Sequence, residues 1–167
     1  LEGNADAVEN APNFATVVDA LEDTHETTLV ISSGDNFIPS PFSNAAGSAD
    51  PNVRAQLNAV LGEVMAAVTG ASADDMDTAA GRFDIAIMNV VGFDASALGN
   101  HEFDFGQDQL AAVIAPGDGW TGALFPYLSA NIEIGPESVL QPIYDADGVA
   151  ADESGAGTIA PFAIIEA

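Results

Sequence analysis

The sequence predicts an α/β fold with a mostly parallel sheet and flanking helices. Apolar runs at residues 28–32, 93–98 and 125–134 are typical of buried strands. Segments with the apolar spacing of helices alternate with these runs, so the connections between strands are expected to be right-handed crossovers. Of the 167 residues 48% are apolar, which is enough for one domain with a sizeable core.

Each element follows from a local pattern. Apolar residues at helical spacing predict four helices, and these cover residues 12–22, 51–70, 78–91 and 107–115. The first helix is expected to start at Pro12 and to bury Phe14, Val17, Val18 and Leu21. The second is expected to follow an N-terminal cap at Asp50 and to bury an apolar stripe from Val53 to Val68. In the third we expect Phe83, Ile87, Met88 and Val91 to face inward and Gly92 to form the C-terminal cap. Residues 39–49 predict a loop, and residues 139–144 and 158–165 predict a β-hairpin closed by an acidic loop.

The charge excludes several classes of partner. There are 26 acidic residues against two arginines and no lysine, a net charge of −24. Such a chain repels nucleic acids and anionic membranes but attracts divalent cations, and it suits a halophilic or extracellular setting. Absence of cysteine removes disulfides and thiolate metal sites, and no apolar run is long enough to span a membrane. Because residue 1 is leucine, we expect a processed product or part of a longer chain.

Polar side chains follow two of the predicted strands. Residues 33–36 read Ser-Gly-Asp-Asn and end the first strand, while residues 98–106 read Leu-Gly-Asn-His-Glu-Phe-Asp-Phe-Gly and follow the second. In a parallel sheet these carboxyl ends share one edge, where ligands usually bind. Hard divalent ions prefer the oxygen and imidazole donors that Asp35, Asn100 and His101 carry. Alternatively, Asp35 and Asn100 form turns and His101 is a satisfied polar residue.

Other polar groups have simpler interpretations. His25 follows the first helix in a charged turn and is predicted to be a solvated surface side chain. The acidic loop at residues 145–154 is either solvated or a calcium-dependent surface module.

These motifs resemble those of the calcineurin-like metallophosphoesterases, and within them the 5′-nucleotidase and extracellular phosphatase branch. The resemblance rests on Gly34-Asp35, on Gly99-Asn100-His101-Glu102 with its flanks from residue 88 to 106, and on residues 127–132. It implies a layered α/β/β/α sandwich of which residues 1–167 supply the amino-terminal half, as a partial domain.

The resemblance also implies roles for individual residues. Asp35 would bridge two divalent ions (Zn, Mn, Fe, Mg or Ca), and Asn100 would bind one of them. His101 would act beside the phosphate as general acid or transition-state stabiliser, oriented by Asp104. Glu2 would occupy a ligand position if an aspartate precedes residue 1, while Glu102 is expected to be structural.

Two functions remain open at this point. In the first, the chain is part of a secreted metallophosphoesterase, located outside the cell, on its surface or in the periplasm. It would hydrolyse small phosphate esters such as nucleotides together with the rest of its own longer chain. In the second, it is a non-catalytic extracellular or structural protein on a degenerate phosphoesterase scaffold. The second is favoured by Glu2, if it replaces a ligand histidine of the family, and by the lack of the family's downstream histidines.

Overall fold

A four-stranded parallel sheet organises the chain in the computed structural model, which describes residues 5–69, 79–117 and 119–166. The strands are β1 (Ile31–Ser32), β2 (Ala95–Ala97), β3 (Tyr127–Leu128) and β4 (Ile159–Ala160), and they lie side by side in chain order. The helices are α1 (Ala5–Glu22), α2 (Pro41–Ala46), α3 (Pro51–Thr69), α4 (Arg82–Val91) and α5 (Gln107–Ile114). Short 3-10 helices cover His101–Phe103 and Gln141–Ile143. The prediction of an α/β fold with a parallel sheet and flanking helices is therefore confirmed.

The core lies where α4 and α5 pack beside the sheet. Its largest fully buried side chains come from both helices, from the strands and from the loops beside them: Phe37, Ile85, Met88, Leu110, Ile114, Phe125, Tyr127, Leu140 and Ile159. Gly92 ends α4 in the left-handed conformation, and its amide donates to the carbonyl of Met88, as its predicted capping role requires. The chain then continues into β2, so this cap helps to place residues 98–106, which follow β2, at the edge of the sheet.

Helix α1 differs from its prediction in two respects. It begins at Ala5 rather than at Pro12, and Pro12 lies inside it. The alanine-rich residues before the proline have high helix propensity, which opposes the cost of a proline inside a helix, namely one lost backbone donor and a clash of its ring with the carbonyl four residues earlier. Of the four residues predicted to be buried, only Val18 is; the other three are 40–56% exposed: Phe14, Val17 and Leu21.

The inward faces of α3 and α4 were also only partly predicted. Asp50 caps α3 as expected, its Oδ1 accepting the amide of Asn52 at 2.8 Å. In the predicted stripe of α3, Val53 is 36% exposed and Leu57 is half-buried. The other side chains of that stripe lie outside the described ones: Val60, Leu61, Val64, Met65 and Val68. In α4, Met88 and Val91 are buried but Phe83 and Ile87 are only half-buried. The reason is that α4 also has neighbours among the helices, so no single stripe is its inner face.

Residues 39–49 are not simply a loop. Ser40 and Ser43 form a capping box, in which each hydroxyl accepts the other residue's amide hydrogen, at 3.1 and 3.0 Å. Pro41 occupies the first turn of the resulting helix α2. The Pro-, Ser- and Asn-rich composition that predicted a loop is also the composition of a helix start.

The predicted hairpin is wrong. Residues 139–144 contain a 3-10 helix instead of a strand, and β4 pairs with β3 in parallel, with Tyr127 opposite Ile159. Tyr144 makes only an isolated parallel bridge to Ile159. Pro142 has no amide hydrogen to give a ladder, which disfavours a strand at this position. Within the described ranges no helix is long and apolar enough to cross a membrane.

Candidate functional site at the carboxyl edge of the sheet

Two neighbouring strands deliver the predicted motifs to one edge of the sheet. β1 and β2 pair in parallel, with Ile31 opposite Ala95 and Ser32 opposite Ser96. The chain segments that follow them, residues 33–36 and 98–104, therefore emerge side by side. This confirms the expectation that the two motifs share an edge.

The turn after β1 is left-handed at two successive residues. Gly34 has a φ of 96° and Asp35 a φ of 57°, and Asp35 is the sole non-glycine residue with positive φ in the described ranges. A left-handed conformation of a non-glycine residue costs roughly 1–3 kcal/mol, so contacts elsewhere must hold it. A side chain at Gly34 would be impossible here, since a Cβ would lie 2.7 Å from the Gly99 amide nitrogen. The two loops thus touch through their backbones.

The fully buried side chain of Glu102 connects the loop after β1 to the loop after β2. Its Oε2 accepts the amides of Asp35 at 3.0 Å and Gly99 at 2.7 Å, and its Oε1 accepts that of Asn36 at 2.7 Å. With its carboxylate occupied by three backbone donors, Glu102 has the structural role that was predicted for it.

Asp35 lies against the loop that carries Asn100 and His101. Asp35 Oδ1 accepts the amide hydrogen of His101 at 3.0 Å, so the carboxylate lies across the backbone of residues 99–101. Gly99 makes the approach possible, because a Cβ there would overlap Asp35 Oδ1 and lie 2.6 Å from the Asp35 amide nitrogen. Asp35 and Asn100 are both exposed, which leaves them accessible to solutes.

His101 and Asp104 form an ion pair on the same turn. Residues 101–103 form a 3-10 helix, and its three-residue repeat brings positions 101 and 104 together. Nδ1 of His101 lies 2.6 Å from Oδ2 of Asp104. This hydrogen bond to Asp104 raises the pKa of His101 above its ordinary value. Desolvation lowers this pKa in part, and the nearby negative charges of Asp104, Asp35 and Glu102 raise it further. The imidazole is therefore biased toward its protonated form.

A buried polar network lies under the site, and the sequence analysis missed it. Asn36 donates through Nδ2 to Ser96 Oγ at 2.7 Å and to the Tyr127 hydroxyl at 3.2 Å, and its Oδ1 accepts a hydrogen bond from Ser32. Burial raises the pKa of Tyr127, so its hydroxyl stays neutral. Three strands are thus joined beneath the two loops. The one sign of this network in the sequence was Ser96, a polar residue within the otherwise apolar strand β2.

Two of the three predicted metal ligands, Asp35 and Asn100, lie in the neighbouring loops that follow β1 and β2. Both side chains carry oxygen atoms of the kind that hard divalent cations prefer. Within the described ranges, no three His, Cys, Asp or Glu side chains are grouped as a metal site would require. Glu2, the third predicted ligand, lies outside the described residues.

The other polar groups serve local structure. His25 is exposed, as predicted, and its Nδ1 lies 2.8 Å from the carbonyl of Leu21 at the end of α1. In the acidic loop, Asp145 Oδ1 accepts the amide of Asp147 and Glu153 Oε2 accepts that of Ala150. These carboxylates stabilise turns.

Comparison with known proteins gives one partial similarity. Over 56 residues the chain is 38% identical to Endonuclease YhcR of Bacillus subtilis (strain 168). The match covers 30% of this chain and 5% of that protein, so the chain corresponds to a small part of its relative. No family model and no solved structure matches the chain.

Proposed function

We propose that this chain is part of the catalytic domain of a metal-dependent phosphoesterase. The observation that carries the proposal is the hydrogen bond from the His101 amide to Asp35, which joins the two motifs into one exposed group. The similarity to a protein named endonuclease supports phosphate-ester hydrolysis as the reaction class. The rest of a longer chain would complete the α/β/β/α sandwich and the site.

Asp35 and Asn100 would hold divalent ions at the sheet edge, with Glu2 as a further oxygen ligand. The donor set of carboxylate and amide oxygens suits Mg, Mn or Ca, and Zn or Fe if nitrogen ligands come from elsewhere. Such ions supply Lewis acidity toward phosphate oxygens and lower the pKa of bound water. Because Nδ1 of His101 is engaged by Asp104, Nε2 is the ring nitrogen left for the substrate. The one hydrogen bond to Asp35 Oδ1 leaves lone pairs of that carboxylate for a metal ion.

His101 would serve as the general acid. Asp104 fixes the ring through Nδ1 and favours the imidazolium, so Nε2–H can donate a proton to the oxygen of the leaving group. The bond between phosphorus and that oxygen breaks as water adds to phosphorus, and the proton neutralises the departing alkoxide. Asp104 keeps its negative charge throughout.

The substrate we propose is a phosphomonoester or a nucleotide rather than a nucleic acid. A net charge of −24 repels a polyanion far more strongly than it repels one phosphate group that metal ions neutralise. The same acidic surface suits an extracellular, cell-surface or periplasmic location.

The test is hydrolysis by the intact protein in Mn²⁺, Zn²⁺ or Mg²⁺. We expect turnover of p-nitrophenyl phosphate or a nucleoside monophosphate, none of single-stranded DNA, and a loss of roughly 10²–10⁴-fold in His101→Ala. The 167-residue chain alone should hydrolyse p-nitrophenyl phosphate poorly, because it carries too few ligands for two ions. DNA cleavage that exceeds monoester hydrolysis would overturn the substrate proposal.

A second experiment tests the ligands. Asn100→Ala in the intact protein should lower metal content by elemental analysis, whereas Asn52→Ala, at an exposed position of α3, should not. Equal metal content in both variants would remove Asn100 from the ligand set.

The alternative is a non-catalytic protein that keeps the phosphoesterase scaffold. It would be favoured by Glu2, if that residue stands at the position of the family's ligand histidine. An intact protein that binds no divalent metal and shows no turnover would establish it.

A further inference from the structure

We propose that Glu102 is a positioning residue, whose buried carboxylate holds the turn at Asp35 so that the Asp35 side chain accepts the amide of His101. The functional importance of Asp35 rests on the function proposed above. The positioning itself is a statement about geometry, and it can be tested without metal or substrate.

The contacts of Glu102 join residues that are far apart in the chain. Oε1 accepts the amide of Asn36, and Oε2 accepts those of Asp35 and Gly99. Asp35 and Asn36 are consecutive, and with Gly34 left-handed their amides point into one concavity that suits an anion. The carboxylate of Glu102 is the anion that fills it.

Asp35 is thereby held at two points. Glu102 binds its backbone amide, and the His101 amide binds its Oδ1. Glu102 and His101 are neighbours in the same 3-10 turn, so this one turn sets both the backbone and the side chain of Asp35. Without Glu102, three backbone donors would lose their acceptor, and the left-handed conformation of Asp35 would lose the contact that offsets its strain.

The role requires a carboxylate. In Glu102→Gln an NH₂ group replaces one oxygen, and in either orientation of the amide it faces at least one backbone N–H. The variant keeps the size of the side chain but must release a donor from Asp35, Asn36 or Gly99.

The experiment is NMR on ¹⁵N-labelled protein without metal. In Glu102→Gln we expect the amide resonances of Asp35, Gly99 and His101 to shift, and hydrogen exchange at Asp35 or Gly99 to accelerate by roughly tenfold or more. Hydrogen exchange at the His101 amide decides the question, because this amide donates to Asp35 Oδ1 and not to the Glu102 carboxylate. Ile114→Ala is the matched control, since it destabilises the buried core at the end of α5 and removes none of the hydrogen bonds of Glu102.

The proposal is overturned if the three amides in Glu102→Gln behave as they do in wild type or in Ile114→Ala. If Glu102→Gln does not fold, NMR on the wild-type protein tests the proposal instead. Scalar couplings across hydrogen bonds must connect the amides of Asp35, Asn36 and Gly99 to the Glu102 carboxyl carbon, and their absence overturns the proposal. Mn²⁺ binding by the intact wild type separately tests the proposed function, so the two failures can be distinguished.

Discussion

Glu102 and Asp84 are both buried acidic side chains, 0% and 2% exposed, yet their surroundings differ completely. Glu102 accepts three backbone hydrogen bonds at the sheet edge. Asp84, in the first turn of α4, has an Oδ2 with no hydrogen-bond partner among the described residues. Desolvation raises the pKa of Asp84 to about 7.

The difference shows that burial alone does not decide the state of a carboxylate. A buried charge is tolerated where fixed donors replace water, and its proton is retained where they do not. Backbone amides are available at the ends of β1 and β2, where two loops turn sharply. At Asp84 the effect of desolvation outweighs that of a hydrogen bond to its own backbone, and its Oδ2 has no donor among the described residues.

The largest effect that tests this contrast is expected in Glu102→Ala. Three backbone donors would lose their acceptor, at about 1–3 kcal/mol each, so we expect a loss of roughly 5 kcal/mol in the free energy of unfolding. Urea denaturation measures it. Asp84→Ala removes an equally buried carboxyl and should destabilise the protein much less; equal losses would break the comparison.

Asp84 should make stability depend on pH. Its pKa is about 7 in the folded protein and 3.8 in its ordinary state, so the folded protein holds the proton more tightly. The resulting stabilisation is complete below the lower value and is lost as the pH rises to the higher one, a change of up to roughly 4 kcal/mol.

Asp84→Asn cannot ionise, so we expect its stability relative to wild type to rise between about pH 4 and about pH 8, by up to the same roughly 4 kcal/mol. Urea denaturation of both proteins across this range gives the comparison. A difference that stays constant with pH would contradict the protonated state of Asp84.

A smaller effect is expected where the two loops touch. Gly99→Ala would place a methyl group 2.6 Å from the Asp35 amide nitrogen and 2.8 Å from Glu102 Oε2, which forces the loops apart. We expect a loss of roughly 2–3 kcal/mol in thermal or urea unfolding. Gly135→Ala, with nothing within 4 Å of its Cβ, is the control and should be close to neutral. Equal stability of the two variants would show that the loops are not tightly joined.

The smallest effect concerns His101. Asp104→Asn removes the charged hydrogen-bond acceptor, so the pKa of His101 should fall toward its ordinary value of 6.5. An NMR titration of the imidazole measures this. Asp108→Asn, an exposed carboxyl in the first turn of α5, should leave it nearly unchanged. An unaltered titration in Asp104→Asn would show that the pair does not persist in solution.

Much of the site could be predicted because its signals are local. Gly34-Asp35 and Gly99-Asn100-His101 each follow an apolar strand, and a parallel sheet brings such strand ends to one edge. The contact of His101 with Asp104, which the resemblance implied, is also local, since a single turn sets it.

Other features could not be predicted because they depend on contacts distant in sequence. Tyr127 and Ser96 looked like ordinary strand residues, and only the alignment of three strands places them around Asn36. The exposure of Phe14 and Leu21 likewise depends on which elements pack against α1, which helical periodicity does not contain.

By itself, the sequence determined the parallel α/β arrangement, the cap at Gly92 and the two polar strand ends, since periodicity and capping act within a few residues. Only the tertiary structure decided that the carboxylate of Glu102 binds both loops, that Asp84 is left without a partner for Oδ2, and that residues 139–165 form no hairpin. The physical reason is the same in each case. Hydrogen-bond donors, burial and strand partners come from residues distant in the chain, and a local pattern contains no record of them.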